Sequence, residues 1–293
     1  MSIIFNPVAG GTRRRRLAAA IRALRAAGAA AELAETIHAG HARAIAAAAV
    51  QRRTTMLVAA GGDGTIAGIA AAMLGGGARL GLLPLGTADV LANELGVPLR
   101  PQAAAAVLLA GREVMLHPGI ARWADGRGRL FVQMLGASFD AALVQALDPS
   151  EKRRLGRGAH LLESPQQLRA HDFPTIGIAL DGGNVEPAAS VIISQGRFYA
   201  GRYCCLPGAD PLAPGFSVRR SRHGGAAAAM LAGLSLPLHL SHRLPGAQLL
   251  RARNATLHAE CWVSAQADGD AAGSLPLSVH DAQHAIPFVI STE

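Results

Sequence analysis

Leu57-Val58-Ala59-Ala60-Gly61-Gly62-Asp63-Gly64-Thr65 runs an apolar strand into a glycine-rich loop, and a helical pattern begins directly after it. Glycines let the backbone turn tightly and bring its N–H groups close to a phosphate. The helix start adds free N–H groups and the positive end of a dipole. Asp63 is the odd member. A carboxylate beside a phosphate is repulsive unless a cation lies between them, or unless it accepts hydrogen bonds from a ribose or the backbone. The stretch therefore predicts a nucleotide site that works with a metal. Its alternative reading is a glycine-rich turn in which Asp63 caps the helix.

Two loops of the same build lie on either side. The chain opens with a strand, Ser2-Ile3-Ile4-Phe5, then Asn6-Pro7-Val8-Ala9-Gly10-Gly11, Thr12, the arginines Arg13 to Arg16, and a helical face of Leu17, Ile21 and Leu24. Arginines at a helix start oppose its dipole and make more sense beside an anion. At least two of the four read better as a solvated charge run. Downstream, the strand Leu80 to Leu83 ends in Pro84-Leu85-Gly86-Thr87-Ala88-Asp89-Val90-Leu91-Ala92-Asn93. Three such turns put three glycine loops on one edge of a sheet. In parallel α/β sheets, ligands bind at that edge, outside the carboxyl ends of the strands.

Strands near 2–5, 31–35, 55–60 and 79–83 alternate with helices near 12–27, 40–52, 65–74, 87–95 and 101–110, which predicts parallel pairing. After His117-Pro118-Gly119 short strand-like runs take over, at 129–135, 174–180, 189–195, 215–219, 247–258, 260–266 and 275–279. Pro, Gly and Asp-Gly turns separate them, as in an antiparallel sandwich. The expected fold class is α/β plus β, with a nucleotide-binding α/β domain at 1–117 and a β-sandwich domain at 118–284. The last apolar run, Ile286 to Ile290, can rejoin the first domain over 285–293.

The chain has 293 residues, half of them hydrophobic, and a formal charge of +8; Lys152 is its only lysine. A basic protein attracts nucleic acid, anionic lipid or nucleotide phosphates. No basic patch interleaved with aromatics suggests single-strand binding, which favours a nucleotide and an anionic membrane surface and argues against nucleic acid. Cys204, Cys205 and Cys261 form neither a disulfide framework nor a zinc spacing. With no signal-peptide pattern at the start and no apolar run of about 18 residues, the expectation is a cytoplasmic protein that meets any lipid from the inner face of the membrane.

The three loops resemble the catalytic domain of the diacylglycerol kinase and sphingosine kinase superfamily, in its soluble bacterial branch. That family carries an Asn-Pro-x-x-Gly opening, a Gly-Gly-Asp-Gly-Thr loop and a Pro-x-Gly-Thr-x-Asn loop, and order and spacing match here. The likeness extends along nearly the whole chain and weakens after about residue 140. Gly-Gly-Asp-Gly-Thr alone is shared with NAD kinases. The resemblance implies an N-terminal domain of NAD-kinase-like architecture and an ATP-dependent lipid kinase of phospholipid metabolism. Such an enzyme transfers the γ-phosphate to a hydroxyl of a diacylglycerol-like or sphingoid lipid.

It further implies that ATP and Mg2+ are bound through Asn6, Pro7, Gly10, Gly11, Thr36, Gly61, Gly62, Asp63, Gly64, Thr65, Gly86 and Thr87, with Asp63 reaching the metal carried by ATP. In Ala267-Asp268-Gly269-Asp270 the family has Asp-Gly-Glu, whose second acid accepts the proton. That role falls on Asp270, with Asp268 supporting, on an arm one methylene shorter. From the residues alone, Asp268-Gly269-Asp270 reads as a hairpin turn.

Four departures stand out: Asp89 for an asparagine, Ser138 for a glycine in the element ending at Asp140, Ala213-Pro214 where the family has two acids tied to a structural magnesium, and Asp270 itself. They keep open a catalytically impaired nucleotide- and lipid-binding regulator; a NAD kinase is a further alternative. The segment 151–170 mixes Lys152, Arg153, Arg154 and Arg157 with Leu155, Leu161, Leu162 and Leu168. It reads equally as a membrane-interface helix or a domain-packing helix. A homodimer through the sandwich is open.

Overall fold

The computed structural model describes residues 1–7, 11–146, 168 and 171–292. The chain divides into two compact units, Met1–His117 with Gln283–Glu293, and Pro118–Ala282.

The first unit holds β1 (Ser2–Phe5), α1 (Gly11–Ala26), β2 (Glu32–Glu35), α2 (His41–Gln51), β3 (Met56–Gly61), α3 (Asp63–Met73), β4 (Arg79–Pro84), α4 (Val90–Glu94), α5 (Pro101–Ala110) and β5 (Arg112–Leu116). The sheet order is β2-β1-β3-β4, then the C-terminal strand Ile286–Ile290, then β5. Strands β1 to β4 pair in parallel. The C-terminal strand runs parallel to β4 and antiparallel to β5. Every residue of β1 and β3 is buried, as in parallel strands covered on both faces. One alternation, Ile3, Phe5, Val58, Ala60 and Leu83, packs with Leu17 and Leu24 of α1 and Val107 of α5. Helices α2 and α3 pack on each other, and α3 buries Ile66, Ile69 and Met73.

Register does the rest. Phe5 lies beside Ala60, and Ala60 beside Leu83, so β1, β3 and β4 end level and release their three loops at one sheet edge. The helix expected over 87–95 begins only at Val90. Asp89 takes a left-handed backbone, φ 45°, which extends the loop to the helix start.

The second unit holds β6 (Gly119–Arg122), β7 (Gly128–Phe131), β8 (Met134–Ala137), α6 (Phe139–Ala146), β9 (Ile176–Leu180), β10 (Glu186–Ala188), β11 (Ser190–Ser194), β12 (Phe198–Tyr199), β13 (Tyr203–Cys204), β14 (Phe216–Ser221), α7 (Ala226–Ser235), β15 (Ala247–Ala252), β16 (Asn254–His258), β17 (Ser264–Ala267), β18 (Asp270–Ser274) and β19 (Leu277–Asp281). Two six-stranded sheets form, β10-β9-β16-β19-β6-β7 and β15-β14-β11-β8-β17-β18. The pairings in both are antiparallel. Ile178, Leu257 and Val279 of the first share one core with Leu135, Val191, Val218 and Ala265 of the second.

The run 247–258, expected as one strand, is two strands in different sheets. At the crossing, the Asp181 carboxylate accepts the N–H groups of Arg253 at 3.0 Å and Asn254 at 2.8 Å, satisfying backbone that neither ladder pairs. The run 260–266 is ordered as a strand only from Ser264. The short strands β6, β10, β12, β13 and β18 have no matching expectation, because runs of two to five residues are too short to show an apolar periodicity.

Candidate active site

Side chains and backbone knit the three loops of the first unit together. Asn6 donates its backbone N–H to Ala60 O at 3.1 Å and its side-chain amide to Thr65 Oγ1 at 3.4 Å. Thr65 folds over Gly61, where a Cβ would stand 2.6 Å from Thr65 Oγ1. The second and third loops meet glycine on glycine: a Cβ on Gly86 would lie 2.6 Å from Gly62 Cα and 2.5 Å from Asp89 Oδ1. No larger residue fits there without backbone movement. From α1, Arg13 donates to Thr87 Oγ1 at 3.2 Å, and Arg16 donates to Pro84 O at 2.7 Å and Leu99 O at 2.9 Å. Burial lowers the Arg13 pKa, while Asp89 raises it and Arg16 lowers it. Arg14 pairs with Glu35 at 2.6 Å, and Arg14 and Arg15 are exposed. The arginine run is thus half solvated and half turned to the third loop.

Asp63 is a helix cap, but not of the helix it begins. The N-cap of α3 is Gly62. The Asp63 carboxylate instead accepts Val90 N–H and Leu91 N–H, each at 3.0 Å, across 27 and 28 residues. These are orphan donors of the first turn of α4, and an anion there also meets the positive dipole end. Asp63 is buried. Asp89 sits beside it. Burial, and then the charge of Asp63, push the Asp89 carboxyl up to about 6, against the Gly86 N–H, Arg16 and Arg13, which lower it. Its Oδ1 accepts Gly86 N–H at 2.7 Å.

In the second unit, Asp268 and Gly269 have φ of 51° and 78° and join β17 to β18, with Ala267 opposite Asp270. Two positive φ values in an Asp-Gly pair make the tight hairpin that the twist of the strands favours. The Asp268 carboxylate accepts the N–H groups of Val132 at 2.9 Å, Gln133 at 2.9 Å and Met134 at 3.0 Å. Arg129 donates to Ala271 O at 2.9 Å and Ala267 O at 3.3 Å and pairs with Asp270 at 3.5 Å. The hairpin is therefore fixed from three sides, and Asp270, whose side chain is 52% exposed, projects from a rigid support.

A buried polar group lies behind it. Gln266 donates to Asp140 Oδ2 at 3.4 Å and accepts Gly269 N–H at 2.9 Å. Burial lifts the Asp140 carboxyl to about 6, opposed chiefly by Gln266. It also raises the Tyr199 phenol, with Asp140 and Cys205 adding to the effect. Ser138 is buried with φ 100°, its Oγ without a hydrogen-bond partner. The position has glycine geometry and carries a serine.

Within the first unit the structure thus gathers Asn6, Gly61, Gly62, Asp63, Thr65, Gly86 and Thr87. Gly64 lies in the first turn of α3. Thr36 is buried, its N–H bonded to Phe5 O at 2.8 Å. Gly11 opens α1, and Pro7 follows Asn6 in the first loop. Gly10 and, apart from Leu168, the basic segment 151–170 lie outside the described residues. Asp268 and Asp270 belong to the second unit. Sequence reasoning missed Arg129 and Gln266. Gln266 carried a signal, two residues before Asp268 on a strand leading into the turn, whereas Arg129, over a hundred residues away, carried none.

Residues 1–119 match the diacylglycerol kinase catalytic domain. A relative from Pseudomonas aeruginosa, named "probable lipid kinase YegS-like", is 36% identical over 147 residues, which are 49% of this chain and 46% of that protein. The chain thus spans less than half the length of that relative. A diacylglycerol kinase of Mycobacterium tuberculosis is 26% identical over 81% of this chain and 77% of its own. In fold, a structure of a "putative diacylglycerol kinase" from Bacillus anthracis superposes with TM-score 0.81 at 18% identity, covering 99% of this chain and 95% of that one. By the family match, and by the three loops that lie within it, residues 1–119 belong to the diacylglycerol kinase catalytic domain.

Proposed function

We propose that the protein is an ATP-dependent lipid kinase acting on a hydroxyl of a diacylglycerol-like or sphingoid lipid. The observation that carries this reading is the mutual locking of the three glycine loops through Gly62 and Gly86, Asn6 and Thr65, and Asp63 and α4. Phosphoryl transfer is mostly positioning and charge neutralisation, and a preorganised backbone cradle supplies the first. The first unit takes the nucleotide, its phosphates meeting the loop N–H groups and Arg13. Its Gly-Gly-Asp-Gly-Thr loop supports a NAD-kinase-like architecture. The second unit takes the lipid. The protein acts peripherally, on a membrane surface of the cell interior.

Among the described residues no three acidic, histidine or cysteine side chains cluster to cage a metal. The buried acids Asp63 and Asp89 fit a magnesium that arrives with nucleotide phosphates and keeps most of its ligands from phosphate and water. When bound, magnesium supplies charge neutralisation at the transferring phosphoryl group. Asp270 takes the proton of the lipid hydroxyl as base. Asp268 positions it by holding the hairpin.

A second reading, a regulator that binds nucleotide or lipid without turnover, draws on the Arg129–Asp270 ion pair, which competes with proton acceptance. The test is transfer from labelled ATP with magnesium to diacylglycerol, monoacylglycerol, sphingosine and ceramide in mixed micelles. Label on one lipid, lost in Asp270→Asn, supports the kinase. No label on any lipid, with ATP binding intact by calorimetry, overturns it in favour of the regulator.

A further inference from the structure

We propose that α7 and the turn after it, residues 226–240, are the element by which this protein enters the interface of an anionic lipid bilayer. The inference deepens the lipid-kinase reading and rests on it only for the presence of lipid substrate at that surface.

Helix α7 reads Ala226-Ala227-Ala228-Ala229-Met230-Leu231-Ala232-Gly233-Leu234-Ser235 and carries no charge. Met230, Leu231 and Leu234, with Leu238 and Leu240 beyond the helix end, are between 41% and 66% exposed. Of the helix residues only Ser235 is buried. A helix on a protein in water normally turns its apolar stripe inward; here Met230, Leu231 and Leu234 face out, while Ala228, Ala229, Ala232 and Gly233 are half-buried and Ser235 faces in. A contiguous apolar surface of this kind marks a partner or a membrane. Leu249 and Leu250 of the edge strand β15 are also exposed, and β15 and α7 both pack on the short turn Ser241–Arg243.

Charge decides between the two. From Pro211 to Ala259 the sequence contains no aspartate or glutamate. Arg222 precedes α7, and Arg243, Arg251 and Arg253 follow it, all exposed. Glu186 of β10 reaches this flank, 3.2 Å from Arg220 and 3.9 Å from Arg222, and the Asp181 carboxylate accepts the Arg253 N–H at its far end. A charge-free apolar helix bordered by arginines fits a layer that is apolar in depth and negative at its surface. At 10 residues and about 1.5 Å per residue, the helix is far too short for a hydrocarbon core of about 30 Å. It therefore dips into the interface. Among the described residues no helix is long and apolar enough to cross a membrane.

The test uses the full chain and vesicles of phosphatidylcholine, alone or mixed with phosphatidylglycerol. Wild type is expected to sediment with the mixed vesicles. Leu231→Glu/Leu234→Glu should bind them at least about tenfold more weakly at unchanged melting temperature and ATP affinity. In Leu234→Trp, lipids brominated in the acyl chain should quench fluorescence beyond the wild-type signal of Trp123 and Trp262. Equal binding by the double variant, or an unquenched Trp at position 234 in bound protein, overturns the role of α7 and leaves the kinase reading standing. Wild type that ignores both vesicles yet phosphorylates lipid in micelles does the same. Insertion of α7 without turnover of any lipid upholds the inference and removes the kinase. A fall in mass from two chains to one in the double variant, with no vesicle binding by wild type, assigns the patch to a second copy and overturns the proposal.

Discussion

Gly62 and Gly86 touch backbone to backbone, with the third loop lying so close to the second that a single methyl on Gly86 would stand 2.6 Å from Gly62 Cα. Both neighbours of that methyl are firm, one a main-chain carbon and the other the hydrogen-bonded Asp89 carboxylate. Gly86→Ala is therefore expected to separate the loops, at a cost of roughly 1–3 kcal/mol in stability as for overpacking. ATP affinity should fall by about tenfold or more. Thermal unfolding and titration calorimetry on the same variant read both.

Asp89 makes stability depend on pH in a defined direction. Its carboxyl sits at about 6 in the folded protein, against 3.8 ordinarily, so between those values the folded state holds a proton that the unfolded state has released. Stability then falls as pH rises through this window and stays lowered above it. Asp89→Asn keeps an acceptor for Gly86 N–H and removes the buried charge. It should stabilise the protein by on the order of 2 kcal/mol at pH 8 and by much less near pH 4.5, as measured by denaturant titration at the two values. An equal effect at both would refute the assignment.

Ser138 spends φ 100° on a serine whose hydroxyl finds no partner. Ser138→Gly should relieve the strain and raise stability by roughly 1–3 kcal/mol, seen as a higher melting temperature. Ser138→Ala, which removes the unpartnered hydroxyl but keeps the Cβ, should recover only the hydroxyl's share of the gain and leave the backbone strain in place.

The two acids of the β17–β18 turn should separate cleanly. Asp268 accepts three backbone N–H groups, so Asp268→Ala should lower stability by about 2–4 kcal/mol, the cost of leaving several donors unsatisfied. Asp270 is half exposed. Asp270→Asn should leave the melting temperature within a degree or two and reduce phosphate transfer by about 100-fold or more. The reverse pattern would move the chemistry to Asp268.

What could be read from residue order was the local part of the design. The apolar runs ending at Phe5, Gly61 and Pro84 announced three strands and their loops, because strands buried on both faces need no partner to be recognised. The Asp-Gly pair announced its hairpin through its own turn chemistry. What stayed hidden depends on distant backbone. Nothing near Asp63 says that it will cap a helix starting at Val90, and nothing near Arg129 says that it will clamp a turn at Ala267 and Ala271. The departure at Ser138 was visible as a residue, but its meaning came only with the backbone angle. The sheet change at Arg253 was invisible because apolar alternation continues on both sides of it, and the break is made by Asp181, seventy-two residues earlier.

The strand Ile286–Ile290 lies between β4 and β5 and, among the described residues, bridges them in the sheet order. On the ribosome, β5 emerges early and must wait for some 170 residues of intervening chain before its neighbour exists. The whole antiparallel unit is thus synthesised, and free to fold, while the sheet beneath the glycine loops is still open. A fragment stopping at His117 would expose the flank of β4 and leave β5 unpaired, so a nascent chain that stalls there presents a sticky edge of the kind that recruits chaperones or aggregates.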